Sequence, residues 1–65
     1  MIVLNGTESE VLTPVTVAEL VRLVEAPDRG VAVAVDSEVV PRGEWDLFEV
    51  SDGARVEILT AVQGG

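Results

Sequence analysis

The groups in this sequence that could do chemistry are of two kinds. There are twelve side-chain carboxylates, and there is a run "TAVQGG" that finishes on Gly64-Gly65 and a free carboxylate. Histidine, cysteine and lysine are all absent; the four basic residues are Arg22, Arg29, Arg42 and Arg55. That excludes thiol and imidazole nucleophiles, disulfides, redox pairs and ordinary zinc sites, and it leaves no lysine to deprotonate a serine. Asp46 and Glu49 could in principle share acid–base work, but a chain of 65 residues has little room for a cleft that would desolvate them. Asp36, Glu38 and Asp52 lack the spacing of a calcium loop, and no glycine-rich segment opens a helix to cradle phosphate. The side-chain carboxylates therefore read as a solvated face. The chain is expected to be no enzyme and to hold no cofactor or metal of its own.

The terminus is different. From Ile58 to Gly65, "ILTAVQGG" carries no charged side chain in a protein that is 25% charged. If the last strand ends near Thr60, the five residues beyond it reach about 17 Å when extended. The expected division is a folded domain over 1–60 and a flexible tail over 61–65. In such a tail Ala61, Val62, Gln63 and Gly64 can thread a narrow channel into another protein's active site. Glycine has no β-carbon, so Gly64 and Gly65 keep the channel thin and leave the last carbonyl unobstructed. The chemistry suited to that carbonyl is activation. A carboxylate is a poor electrophile, but joined to AMP it becomes an acyl-adenylate that sulfur or nitrogen can attack. Without lysine, only an α-amino group on another copy could capture such a terminus; an arginine preference set by genomic composition accounts for the same absence.

The net charge of −8 narrows the partners. It repels nucleic-acid backbones and anionic membranes and favours a basic protein surface, or it serves solubility alone. No apolar run approaches the ~20 residues of a membrane span, and "MIVLNGTESE" lacks the basic start of a signal peptide, so the expected location is the cytoplasm.

The elements that must hold the tail can be read along the chain. "IVLN" followed by Gly6 predicts a short strand and a tight hairpin, with a return strand from Thr7 to Leu12 before Thr13-Pro14. Thr16 and Glu19 form a capping box for a helix of about nine residues, with Val17, Leu20, Val21 and Val24 on its apolar face and Pro27 as its stop. "VAVAV" over Val31–Val35 is a strand with valines on one face and alanines on the other; the small alanine face is expected to admit the helix. A turn at Asp36-Ser37, a brief "EVV" strand, a loop or single helical turn at "PRGEW", and a turn at Ser51-Asp52-Gly53 follow. "RVEILTAV" alternates and predicts a strand buried on one face. Two strands, one helix and two or three further strands give an α+β fold. It would be a mixed sheet of four to five strands with the helix packed on one face, and its first and last long strands parallel. That is the β-grasp arrangement of ubiquitin-like domains.

Trp45 and Phe48 are the only aromatics. Both read as core or edge packing, with Phe48 and the strand residue Leu59 as possible partner contacts; ordinary burial of Leu59 is the alternative.

The chain resembles the ThiS family, the sulfur carriers of thiamine thiazole biosynthesis, from end to end. The resemblance rests on "LNG" in the first turn, "TVAEL" opening the helix, "VAVAV", "EVVPRGEW" and the closing "SDGARVEILTAVQGG". Asp36-Ser37 stands where the family often has Asn-Gly, and Ala54 where it commonly carries an acid. The resemblance implies that a ThiF-like enzyme, which binds the ATP, adenylates Gly65. Sulfur from a cysteine-desulfurase persulfide then makes a thiocarboxylate, and thiazole synthase takes the sulfur. Carriers for molybdopterin or cysteine synthesis share the Gly-Gly end, and a β-grasp module that only binds a partner is the alternative of another class.

Overall fold

A computed structural model describes residues 1–27 and 29–60. Strand β1 (Ile2–Leu4) turns through Asn5-Gly6 into β2 (Thr7–Ser9). Asn5 and Gly6 take φ of +50° and +83°, the left-handed pair that this hairpin turn needs. Nothing lies within 4 Å of where a Gly6 β-carbon would sit, so glycine is there for the backbone angle and not for space. The return strand was expected to reach Leu12 but ends at Ser9. Ser9 already pairs with Ile2, the first residue of β1, and Met1 before it is engaged by the Asp52-Gly53 turn.

After a link containing a cis Thr13–Pro14 bond, β3 (Val15–Thr16) leads into α1 (Val17–Leu23). The capping box is formed from both sides. The Glu19 N–H donates to the Thr16 hydroxyl at 3.1 Å, and the Glu19 carboxylate accepts from the Thr16 N–H at 3.1 Å. Val17 and Leu20 are buried and Val21 half-buried. Val24, expected on the same face, is instead the exposed C-cap, because the helix is seven residues long and closes about two residues sooner. Glu25 follows at φ +56°, outside the helical region.

Strand β4 (Val31–Val35) turns through Asp36 and Ser37, both at positive φ, into β5 (Glu38–Val39). A 3₁₀ turn at Arg42–Glu44 fulfils the expectation for "PRGEW"; β6 (Glu49–Val50) and β7 (Arg55–Thr60) complete the described chain. The main sheet runs β2-β1-β7-β4-β5, five strands with β1 and β7 parallel and the other neighbours antiparallel. The first and last strands therefore lie side by side as expected. Unforeseen is a second, two-stranded sheet in which Val15 pairs with Val50 and Thr16 with Glu49. Two-residue strands carry no periodicity to read.

The core is Ile2, Val17, Leu20, Val33, Val50 and Val56, all essentially inaccessible, each burial worth about 1.5–3 kcal/mol. Trp45 closes one end, its buried Nε1–H donating to the Val40 carbonyl at 2.9 Å. The faces of β4 are the reverse of the expectation: Val33 and Val35 meet the helix, while Ala32 and Ala34 turn to the other side. Alanines under Val17 and Leu20 would leave voids that close packing does not tolerate. No helix among the described residues is long and apolar enough to cross a membrane.

Candidate functional site

The strand that leads to the terminus is the central one. β7 is paired along one edge by β4, from Val35–Val56 to Val31–Thr60, and on the other by β1 at Val3–Arg55 and Leu4–Val56. Val56 and Ile58 point into the core and fix its depth, while Arg55, Glu57 and Leu59 face outward.

β1 is shorter than its neighbour, and its backbone turns away at Asn5. The Asn5 N–H donates to the Val56 carbonyl at 2.9 Å, after which the main chain has no more to offer β7. The Asn5 side chain takes over. Its Oδ1 accepts from the Ile58 N–H at 2.8 Å, and its Nδ2 donates to the Ile58 carbonyl at 3.3 Å. One primary amide thus presents an acceptor and a donor to one strand residue, as a strand backbone would, and extends the parallel ladder by a rung. Sequence reasoning assigned Asn5 to the turn alone. The available signal was that β1 is too short to pair the whole of "RVEILT".

On the uncovered face, Leu59 is 66% exposed and lies opposite Ala32; Glu57 lies opposite Ala34, which in turn faces Val39, 71% exposed. The small alanines make a shallow apolar floor between two raised side chains, with Arg55 and Val3 side by side below it. This settles Leu59 as a surface residue. Phe48 is not part of that face. It is half-buried against the core beside the first turn of α1, where its carbonyl accepts from the Val17 N–H at 3.0 Å.

Asp46 and Glu49 are both exposed, so nothing desolvates either carboxylate. No three acids among the described residues gather where they could hold a metal ion. The Glu19 carboxyl is held below the ordinary glutamate range, first by its bond from the Thr16 backbone N–H and then by the Thr16 hydroxyl; it belongs to the helix cap. Ala61, Val62, Gln63, Gly64 and Gly65 lie outside the described residues.

Comparison with known proteins adds a family. The sequence model of the ThiS family matches residues 2–65. The sulfur carrier protein ThiS of Escherichia coli is 32% identical over 50 residues, covering 77% of this chain and 76% of that protein. The crystal structure of a thiamine biosynthesis protein (ThiS) from Geobacter metallireducens superposes with a TM-score of 0.83 at 31% identity, covering 98% of this chain and 97% of that one. A thiazole synthase of Paramagnetospirillum magneticum is 33% identical over 64 residues; the match takes in 98% of this chain but spans only 20% of that longer protein.

Proposed function

The chain belongs to the ThiS family, and from that membership we propose that it is a sulfur carrier for thiamine biosynthesis, acting in the cytoplasm with Gly65 as its working group. The domain over 1–60 is the handle and 61–65 the tail. A ThiF-like enzyme attaches AMP from ATP to the Gly65 carboxylate and releases pyrophosphate. The terminal sulfur of a cysteine-desulfurase persulfide attacks the acyl carbon and AMP departs. A thiol then cleaves the S–S bond, supplying two electrons and leaving a thiocarboxylate on Gly65. Thiazole synthase draws off the sulfur and the carboxylate returns. The chain is a co-substrate throughout, and catalysis belongs to its partners.

The observation that carries this reading is the placing of β7. The strand is held by β4 as far as Thr60 and on its other edge as far as Ile58, and the family match continues through Gly65. Five residues of "AVQGG" extended reach about 17 Å, enough to enter a neighbouring enzyme while the sheet stays outside. The face around Leu59 and Val39 is the natural seat for that enzyme, since it adjoins the strand that delivers the tail and sets Leu59, Ala32, Ala34 and Val39 beside Glu57. Phe48 offers a separate contact at the start of α1.

The test is reconstitution with a ThiF-like enzyme, ATP, cysteine and a cysteine desulfurase, read by intact mass. One oxygen replaced by sulfur at the C-terminus is the expected product. An unchanged mass with partners proven active on another carrier ends the proposal. Removing Gly65 should abolish sulfur transfer with the fold intact, whereas a module that only binds would tolerate the loss. Supplying molybdopterin- or cysteine-forming acceptors in place of thiazole synthase separates the related carriers.

A further inference from the structure

The hairpin turn at Asn5-Gly6 holds a second chemistry that its structural role does not use. Asn5 is the single asparagine of the chain, and a glycine follows it. In that dipeptide the glycine backbone nitrogen can attack the asparagine side-chain carbon, because no β-carbon crowds the approach. Asn5 and Gly6 are both exposed, and nothing lies within 4 Å of where a Gly6 β-carbon would stand. The nucleophile is sterically open.

What restrains it is the bond pair to Ile58. Asn5 Oδ1 and Nδ2 are both engaged there, at 2.8 Å and 3.3 Å. β7 lies on one side of β1 and β2 on the other. The side chain therefore reaches toward β7 while Gly6 leads away into β2, which turns the amide from the nitrogen that would attack it. Attack requires the amide to leave Ile58 first. The backbone of β1 makes its last bond to β7 from the Asn5 N–H, so this opening sits at a ladder's end, where local fraying is more frequent than global unfolding.

We propose that Asn5-Gly6 is a site of spontaneous covalent modification, gated by the bonds to Ile58, and that the reaction unfastens the strand which the unreacted amide holds. The Gly6 nitrogen forms a bond to Asn5 Cγ. The Cγ–Nδ2 bond breaks, and Nδ2 leaves as ammonia with the proton from the Gly6 nitrogen. The cyclic imide then adds one water. Opening at Cγ gives aspartate; opening at the main-chain carbonyl gives isoaspartate, in which the backbone runs on through Cβ and Cγ. Only water enters, so the site stands apart from the sulfur-carrier reading.

Either product loses the rung. Aspartate keeps an acceptor for the Ile58 N–H but sets a charged oxygen against the Ile58 carbonyl, where Nδ2 had donated. Isoaspartate adds a methylene to the tight turn joining Leu4 to Thr7, so the hairpin no longer closes in the same register. Each product also adds a negative charge to a chain of net −8. The turn is in effect a clock, whose rate is set by how often the amide lets go of β7.

The experiment ages the purified full chain in mildly alkaline buffer and follows its intact mass, beside a synthetic peptide "VLNGTE". The expected change is NH2 replaced by OH, and peptide mapping with an isoaspartyl methyltransferase should place it at Asn5. The map separates it from Gln63, the other side-chain amide, and from Asp52-Gly53, which can isomerise without change of mass. The folded chain should react about 5- to 150-fold more slowly than the peptide, the factor that two net hydrogen bonds supply. Sub-denaturing urea should speed the reaction in step with amide exchange at Ile58, since the rate follows the population of the open form. The modified chain, separated by its added charge on anion exchange, should exchange faster at Ile58 than the unmodified one. Asn5→Asp should do the same with wild-type circular dichroism, and the aged fraction carries this readout if that variant does not fold. A folded chain that reacts as fast as the peptide overturns the proposal, as does one still unmodified long after that range has passed. So does a rate that follows global unfolding and not Ile58 exchange, or an Ile58 amide equally protected before and after modification.

Discussion

Asn5→Ala should remove a large part of the domain's stability, although Asn5 is itself an exposed residue. Two losses combine. The Ile58 N–H and carbonyl lose partners at 2.8 Å and 3.3 Å, each bond worth about 0.5–1.5 kcal/mol net. Alanine must also hold φ near +50°, where asparagine is at ease and alanine pays about 1–2 kcal/mol. Together these come to about 2–5 kcal/mol, against about 3–10 kcal/mol for a whole domain of this size. Asn5→Gly separates the two, since glycine accepts the angle and loses only the side-chain rung; it should fall between wild type and alanine. Urea unfolding followed by the fluorescence of Trp45, the single and buried tryptophan, measures the losses. Amide exchange at Ile58 locates them, because its N–H is bonded to Asn5 Oδ1 and should lose protection well before Val56 and its neighbours. An alanine variant within about 0.5 kcal/mol of wild type, with the Ile58 amide still protected, would refute the rung; that margin is what an ordinary surface change produces.

Three further outcomes follow from particular residues. Ser37→Gly should raise stability by about 0.5–1 kcal/mol in the same urea assay, because Ser37 sits at φ +71° and glycine carries no β-carbon penalty there. Glu19 has its carboxyl pKa depressed in the folded state, so its contribution is complete above the ordinary glutamate value of about 4.3 and is lost as pH falls through the lowered one. The stability gap between wild type and Glu19→Gln should therefore be constant near neutrality and close in acid; a gap independent of pH would contradict the capping geometry. Raising salt from about 0.01 M to about 0.15 M should raise the melting temperature, since a net charge of −8 on a small domain repels itself and added ions screen it; an unmoved or lower midpoint would count against that.

What could be read from the sequence was whatever is decided within one turn or one strand. The Asn5-Gly6 turn, the Thr16–Glu19 box and the alternation of Val56 and Ile58 each depend on neighbours in the chain, and each formed as expected. What failed was decided by partners distant in sequence. β2 stops at Ser9 because β1 has nothing left to pair with it, a fact invisible in "TESEVL". The alanines of β4 face outward because the helix brings Val17 and Leu20 and needs valine beneath them. The uncovered face was half legible: Leu59 could be placed on β7 but not assigned to solvent, and Phe48 and Leu59, both read as partner contacts, lie on opposite sides of the sheet. Asp36-Ser37 shows the reverse case. The pair holds two positive φ angles without glycine, and Asp36 Oδ1 helps by accepting from the Arg55 N–H at 3.0 Å, on the strand that matters most.

Why a carrier should place its terminal strand in the middle of the sheet follows from the forces on a tail. A tail drawn into a partner's channel pulls on the last residues of the domain that bears it. An edge strand holds by one ladder and would peel under that pull, exposing apolar surface and an unpaired edge. β7 holds by two, β4 along its whole length and β1 for as far as that strand runs. The weak place is the stretch beyond Leu4, where the parallel neighbour has turned away, and that is where the Asn5 amide supplies the missing rung at Ile58. If the tail works as proposed, the rung's value is greatest when a partner holds the tail. Asn5→Gly should lower the yield of sulfur transfer at low carrier concentration by more than its loss of global stability accounts for, because fraying at Ile58 would blur where the tail leaves the sheet. A transfer defect that disappears once the folded fraction is corrected for would show that the rung serves the fold alone.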